Sequence, residues 1–239
     1  MNSSKSPPIR VAIMQPYFFP YLGYFQLISS VDQFVLYDNV QFTRGWINRN
    51  RYLIHGRDAY FTLPLTSAPQ LSNINQRTLS KDFDPIKILN KLSAAYHKAP
   101  YFEQTFELVQ RILSFKEINL AHYVSNSIFQ ILNYFNLTTK LLISSDLTIN
   151  HRLKSEERII GICKALGASS YVNAINGVSL YSKQKFDQHE IELLFIKSSP
   201  FEYKQFSNPF APMLSIIDVM MFNSLHIIKH QLKNGYTLV

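Results

Sequence analysis

The spacing of apolar positions changes several times along the chain, and each change marks an element. RVAIMQP (10–16) is a continuous apolar run that ends where Pro16 removes a backbone donor, which predicts a buried strand. In the following YFFPYLGYFQLISS, Leu22, Phe25 and Ile28 fall on one side and predict a short helix. QFVLYD (33–38) is a short β-type run with Asp38 as its last residue. Strand, helix, strand predicts a parallel βαβ unit. Residues 39–58, rich in Arg, Asn, Gln and aromatics, predict a long loop or a twisted hairpin, and AYFTLPL (59–65) predicts another strand.

The period then becomes helical. Asp84-Pro85 is an N-cap and first-turn pair, with Ile86, Leu89, Leu92 and Tyr96 on one face. Pro100 opens a second helix, carrying Phe102, Phe106, Val109 and Leu113. Asn119 caps a third, in which Leu120, Val124, Ile128, Ile131 and Phe135 share a stripe. Residues 84–136 therefore predict a helical subdomain. KLLISS (140–145) resumes the sheet, and Ser155 is expected to cap a helix buried through Ile159, Cys163 and Leu166 and ended by Gly167. SYVNA (170–174) and IELLFIK (191–197) predict two more strands, Ser215–Asp218 a capped helix start, and Asn223 the approximate start of the last helix. The alternation predicts an α/β chain with an open, mostly parallel, Rossmann-like sheet and a helical insertion. Residues 1–9 are expected to be a leader and 10–239 a single domain. In such sheets ligands bind outside the carboxyl ends of the strands.

Composition narrows the chemistry. With 239 residues, 46% of them hydrophobic, the chain can bury a large core without staples. Cys163 is the sole cysteine, which excludes an internal disulfide and a zinc site built from several thiolates. The apolar run VAIM is too short for a signal peptide or a membrane span, so a cytoplasmic location is expected. A formal net charge of +8, without a run of five basic residues, fits either a solubilising surface or attraction to the phosphates of nucleic acid or of a nucleotide-linked substrate. There is no GxGxxG, Walker A, HExxH or GxSxG motif. His226 and His230 have helical spacing but no acid nearby, so no metal and no cofactor are expected.

Five polar clusters stand out. Gln15 and Tyr17 follow the first strand directly. Asp38 closes the second, followed by Gln41, Arg44, Trp46, Asn48, Arg49, Asn50 and Arg51. Guanidinium groups suit carboxylates and phosphates, and the only Trp suits stacking on a base or sugar. Lys154 and Arg158 lie at a helix start, where backbone donors favour anions. Asn173, Gly177 and Tyr181 follow a later strand, with Gly177 expected to permit a tight turn. Asp218 lies among Ile217, Val219, Met220 and Met221, where a carboxylate needs a partner.

The stretches MQPYFFPYLGYF, DQFVLYDNVQFTRGWINRNR, SEERIIGICKALGASSYVN and PMLSIIDVMMFN resemble the WbqC-like family, and together they touch nearly all of the chain outside the helical middle. Asn176-Gly177 departs from an expected Gly-Gly pair. The resemblance implies association with O-antigen or other polysaccharide gene clusters, and addition of a glycyl or other aminoacyl group to an amino sugar. The opening is also loosely similar to HIGH-type nucleotidylyltransferases, with Tyr and Phe where those enzymes use histidines. An acyl transfer of this kind needs a base, for which Asp38 and then Asp218 are expected, and oxyanion donors, for which Gln15, Asn50 and Arg49 are suited. The expected partners are a nucleotide-linked amino sugar and, as donor, an aminoacyl-tRNA or an acyl-CoA. A non-catalytic nucleic-acid or polysaccharide binding module and a nucleotidylyltransferase-like enzyme are the alternatives.

Overall fold

The computed structural model describes residues 7–206 and 209–239; residues 1–6 of the expected leader lie outside them. The elements in chain order are β1 (Arg10–Met14), α1 (Leu22–Ser29), β2 (Gln33–Leu36), β3 (Arg49–Ile54), β4 (Arg57–Thr62), α2 (Pro85–Tyr96), α3 (Phe102–Leu113), α4 (Leu120–Phe135), β5 (Lys140–Ile143), α5 (Ser155–Ala165), β6 (Ser170–Ala174), α6 (Lys183–Asp187), β7 (Glu192–Ser198), α7 (Ile216–Phe222), α8 (Leu225–Asn234) and β8 (Tyr236–Leu238). The main sheet has the order β5-β2-β1-β6-β7-β8. All its pairs are parallel except β7 with β8. Counting only these six strands along the chain gives the order 3-2-1-4-5-6, the Rossmann arrangement, whose switch point lies between β1 and β6.

Strand alternation explains why both faces are covered. Val11 and Ile13 of β1 enter a core with Ile159, Cys163 and Phe186 of α5 and α6. Ala12, one pleat over, enters the opposite core with Phe25 of α1. A strand buried on both faces must read as a continuous apolar run, as VAIM does. Cys163 is an apolar core residue here: burial pushes its thiol up to about 12. No helix among the described residues is long and apolar enough to cross a membrane.

The chain between β2 and β5 holds an insertion. Residues 49–62 form a separate antiparallel hairpin, β3 with β4, so the strand expected at 59–65 lies outside the main sheet. Its tip is His55-Gly56, both at positive φ (50° and 72°), the two-residue turn whose twist matches a hairpin. In α2 the buried stripe is Ile88, Leu92 and Tyr96, while Ile86 is 60% exposed, a shift from the expected face. Tyr96 sets that rotation, because its hydroxyl accepts from Leu53 N–H and donates to Asp218. In α4 the expected stripe of Leu120, Val124, Ile128, Ile131 and Phe135 is buried throughout. α2, α3 and α4 share one continuous core with α1 and one face of the sheet.

Two helix starts and the last strand differ in detail. Ser155 has φ 48° and makes no side-chain cap; the first turn of α5 is tied instead by Glu156, which accepts from Ser182 N–H and pairs with Lys185 at 2.9 Å. The last helix begins at Leu225, capped by Ser224. β8 follows Gly235 directly, and three residues are too few for its period to be read.

Candidate functional site

The carboxyl ends of β5, β2, β1, β6 and β7 lie along one edge of the sheet. Polar side chains collect there in a connected network. Asp38, two residues beyond β2, accepts from Ser145 N–H (2.9 Å), Ser145 Oγ (2.7 Å) and Asn75 Nδ2 (3.1 Å). Next to it, the Asn39 amide accepts from Ser144 Oγ at 3.0 Å and donates to His151 Nδ1 at 3.2 Å. His151 Nε2 faces the Leu147 carbonyl at 3.0 Å, which places the proton on Nε2 and leaves Nδ1 as an acceptor.

Arg158 is the centre of this network. It enters from α5 and is only 8% exposed. Its guanidinium lies 5.0 Å from the Tyr37 ring centre, and it donates over 3.4 Å to Asn39 O and to His151 Nδ1. Arg158 Nε is buried with no hydrogen-bond partner, and among the described residues no carboxylate pairs with the guanidinium. A buried charge without its counter-charge is costly, so this arrangement suits an anionic ligand. The cation over Tyr37 offsets only part of that cost, on the order of 0.5–2 kcal/mol.

The neighbouring strand ends continue the edge. Gln15 follows β1, and its Oε1 lies 3.5 Å from Nε1 of Trp46, which is 50% exposed. Tyr17 packs against Tyr24 and Tyr21, and burial pushes its phenol up. Asn173, the last residue but one of β6, has its side chain toward Tyr181, which meets the Tyr171 hydroxyl at 3.3 Å. Burial pushes the phenols of Tyr37, Tyr171 and Tyr181 up, so they stay neutral near pH 7. At the β7 end a cavity of about 390 Å³ is lined by Tyr21, Gly23, Gln26, Phe201, Tyr203 and Phe210, among others.

Gly177 lies in a tight helical turn, Ile175–Leu180, and close approach explains its missing side chain. It keeps an ordinary φ, but a Cβ there would meet Asn173 Nδ2 at 2.6 Å. Gly177→Ala is therefore expected to displace the buried Asn173 amide and destabilise the protein by about 1–3 kcal/mol. Chemical denaturation checks this, and an unchanged midpoint would refute the packing argument.

Several expected site residues have other work. Asp38 is 1% exposed, which corrects the expectation that it is the base. A base must reach the proton it takes, and three protein donors already hold this carboxylate. Asn50 Nδ2 donates to the Phe18 and Phe19 carbonyls and its Oδ1 accepts from Arg51 N–H, which latches the 18–19 turn to β3. Asp218 is 0% exposed and accepts from Tyr96, Tyr203 and Gln205; it does not cap Ser215. Arg51 pairs with Asp58 at 3.1 Å and donates to Met213 O, while Asn48 Nδ2 donates to Leu63 O. Gln41 reaches Gln70 O at 3.4 Å, and Lys154 is exposed at the start of α5. Arg44 and Arg49 line a separate cavity with Arg77.

Sequence reasoning missed Tyr37, Asn39, Ser144, Ser145 and His151. The signal available was position: each flanks a strand end or α5. A model of the WbqC-like protein family matches residues 15–230. The chain belongs to the WbqC-like family. It is similar to the uncharacterized protein Rv1507c of Mycobacterium tuberculosis (strain ATCC 25618 / H37Rv), 29% identical over 218 residues, covering 90% of this chain and 93% of that protein. No solved structure matches it. The family match spans the whole carboxyl edge of this WbqC-like chain, from Gln15 through Arg158 and Asn173.

Proposed function

We propose that this WbqC-like chain transfers an acyl group, glycyl or another aminoacyl, to the amine of a nucleotide-linked amino sugar used in surface-polysaccharide synthesis. The observation that carries the substrate class is Arg158, a buried guanidinium without an anionic partner among the described residues, at the carboxyl edge of a Rossmann-ordered sheet. A diphosphate there supplies the missing counter-charge. The cavity at the β7 end, walled by tyrosines and phenylalanines, is suited to the base or sugar. The amide-forming chemistry rests on the family resemblance. In the reaction the amine nitrogen bonds to the acyl carbon, the ester or thioester bond of the donor breaks, and the amine gives up one proton. His151 takes the place of the two carboxylates as the proton acceptor. In this reading Arg158 and the Asn39 amide turn to the incoming substrate, which releases Nδ1 from both donors to take the amine proton and pass it to the leaving hydroxyl or thiol. It is exposed beside Arg158, and the Leu147 carbonyl fixes the tautomer with Nδ1 free of hydrogen.

Incubating the protein with nucleoside-diphosphate-linked amino sugars and either charged tRNA or acyl-CoA, read by mass, tests the reading. The expected product is the sugar nucleotide plus one acyl group; no acylated product with any pair would overturn it. Arg158→Ala is expected to weaken binding of the sugar nucleotide by about 10- to 100-fold, the usual loss of a charged hydrogen-bonding partner. Titration calorimetry reads this directly, and unchanged affinity would remove Arg158 from the site.

A further inference from the structure

A second basic feature stands apart from Arg158. Arg44, Arg49 and Arg77 line one cavity of about 290 Å³ together with Phe42, Gly45, Asn48, Thr62 and Leu65. No Asp or Glu is among these lining residues. Three like charges around one space repel one another unless an anion sits between them.

Two of the three are also held in fixed poses. Arg49 lies over the Tyr60 ring at 4.6 Å and donates through Nε to Gly45 O at 2.7 Å. Arg77 lies over the Phe42 ring at 4.8 Å and donates one N–H to Thr66 O at 3.3 Å. Each brace uses one donor and leaves the remainder of the fork unspent. Arg77 Nε is buried with no hydrogen-bond partner among the described residues. The third, Arg44, is exposed and makes no side-chain hydrogen bond or ion pair among the described residues. Two braced guanidiniums and one free one make a cradle whose geometry is prepared before a ligand arrives. Sequence alone pointed to Arg44 and Arg49; Arg77 joins them because the 74–79 segment folds back against the 39–48 loop, through the Gln41–Asn73 bridge and the Ile74 N–H to Val40 O bond.

We infer that this cavity is a second phosphate site, distinct from Arg158, which holds a diphosphate or a pair of adjacent phosphates on a second substrate. Its volume lies at the bottom of the roughly 300–1,000 Å³ range of small-molecule pockets, so it accepts a charged group and not a whole sugar nucleotide. Coenzyme A and the backbone of a tRNA both present such phosphates.

The test uses Arg158→Ala protein, in which the first site is disabled, so that failure here is separate from failure of the proposed reaction. Inorganic pyrophosphate, coenzyme A and an uncharged tRNA are each titrated at low and at moderate salt. Arg44→Glu, at an exposed position, is then added, with melting temperature as the fold check. The expected result is that pyrophosphate binds the Arg158→Ala protein, more weakly at higher salt, and that Arg44→Glu weakens it by about tenfold or more. Whichever of coenzyme A or tRNA loses affinity in parallel identifies the source of the phosphates. Arg77→Lys, which keeps the charge but not the fork, is expected to weaken binding while preserving the salt dependence. Pyrophosphate binding that is absent, or that is untouched by Arg44→Glu, would overturn the site.

Discussion

Replacing His151 with Gln is expected to cut turnover by about a hundred- to ten-thousand-fold, the usual contribution of a general base, with little change in melting temperature. The side chain is exposed, so the fold should not depend on it. A Gln amide offers one donor and one acceptor, as a neutral imidazole does, so it can still face Leu147 O and receive the Asn39 and Arg158 donors. It cannot take up a proton near pH 7. If His151 only orients Arg158, the Gln variant keeps a near-normal rate, and the base assignment fails. Amide formation under saturating substrates, measured beside thermal melting, separates the two.

The largest effect on stability is expected at Asp218. Asp218→Ala leaves the Tyr96 and Tyr203 hydroxyls and Gln205 Nε2 without their acceptor, in a place closed to solvent. Stranded buried donors cost about 1–3 kcal/mol each, and together a loss of about 3–5 kcal/mol is expected, sub-additive because neighbours relax. Burial raises the Asp218 carboxyl above its ordinary value, and the three donors lower it by less. A raised carboxyl favours the protonated folded state. Its contribution is therefore fully present below the unfolded range near ~3.9 and is lost as pH rises through the raised value. Asp218→Asn, which has no such titration, should show a flatter stability profile than the wild type across that window. Denaturant midpoints from pH 4 to pH 8 check both parts; an Ala variant as stable as wild type would refute the buried-acceptor account.

The contrast between these two residues shows what the sequence made legible. Apolar spacing located β1, α4 and β6 because their periods are set by burial on known faces, and Asp84 and Asn119 announced their helices through cap chemistry. Asp38 and Asp218 were conspicuous for the same reason, as carboxylates in apolar company. Their partners are 37 and 107 residues away for Asp38, and 122, 15 and 13 away for Asp218, so their saturation was invisible along the chain. His151 had the opposite fault: an exposed histidine in a polar segment carries no periodic signal. Arg158 and Lys154 were singled out together at the α5 start, yet only Arg158 turns inward, because position 158 lies on the stripe that buries Ile159 and Ile162. Gly177 was marked as a turn residue, and only the folded chain shows the Asn173 amide against it.

The central claim is that the Arg158 guanidinium, which no carboxylate pairs with among the described residues, binds the diphosphate. It is tested by a crystal structure of the protein soaked with a nucleoside-diphosphate-linked amino sugar. The account predicts diphosphate oxygens within hydrogen-bond distance of the Arg158 guanidinium, at the carboxyl end of β2. A sugar nucleotide bound at full occupancy elsewhere, with no phosphate oxygen on the Arg158 guanidinium, would contradict it.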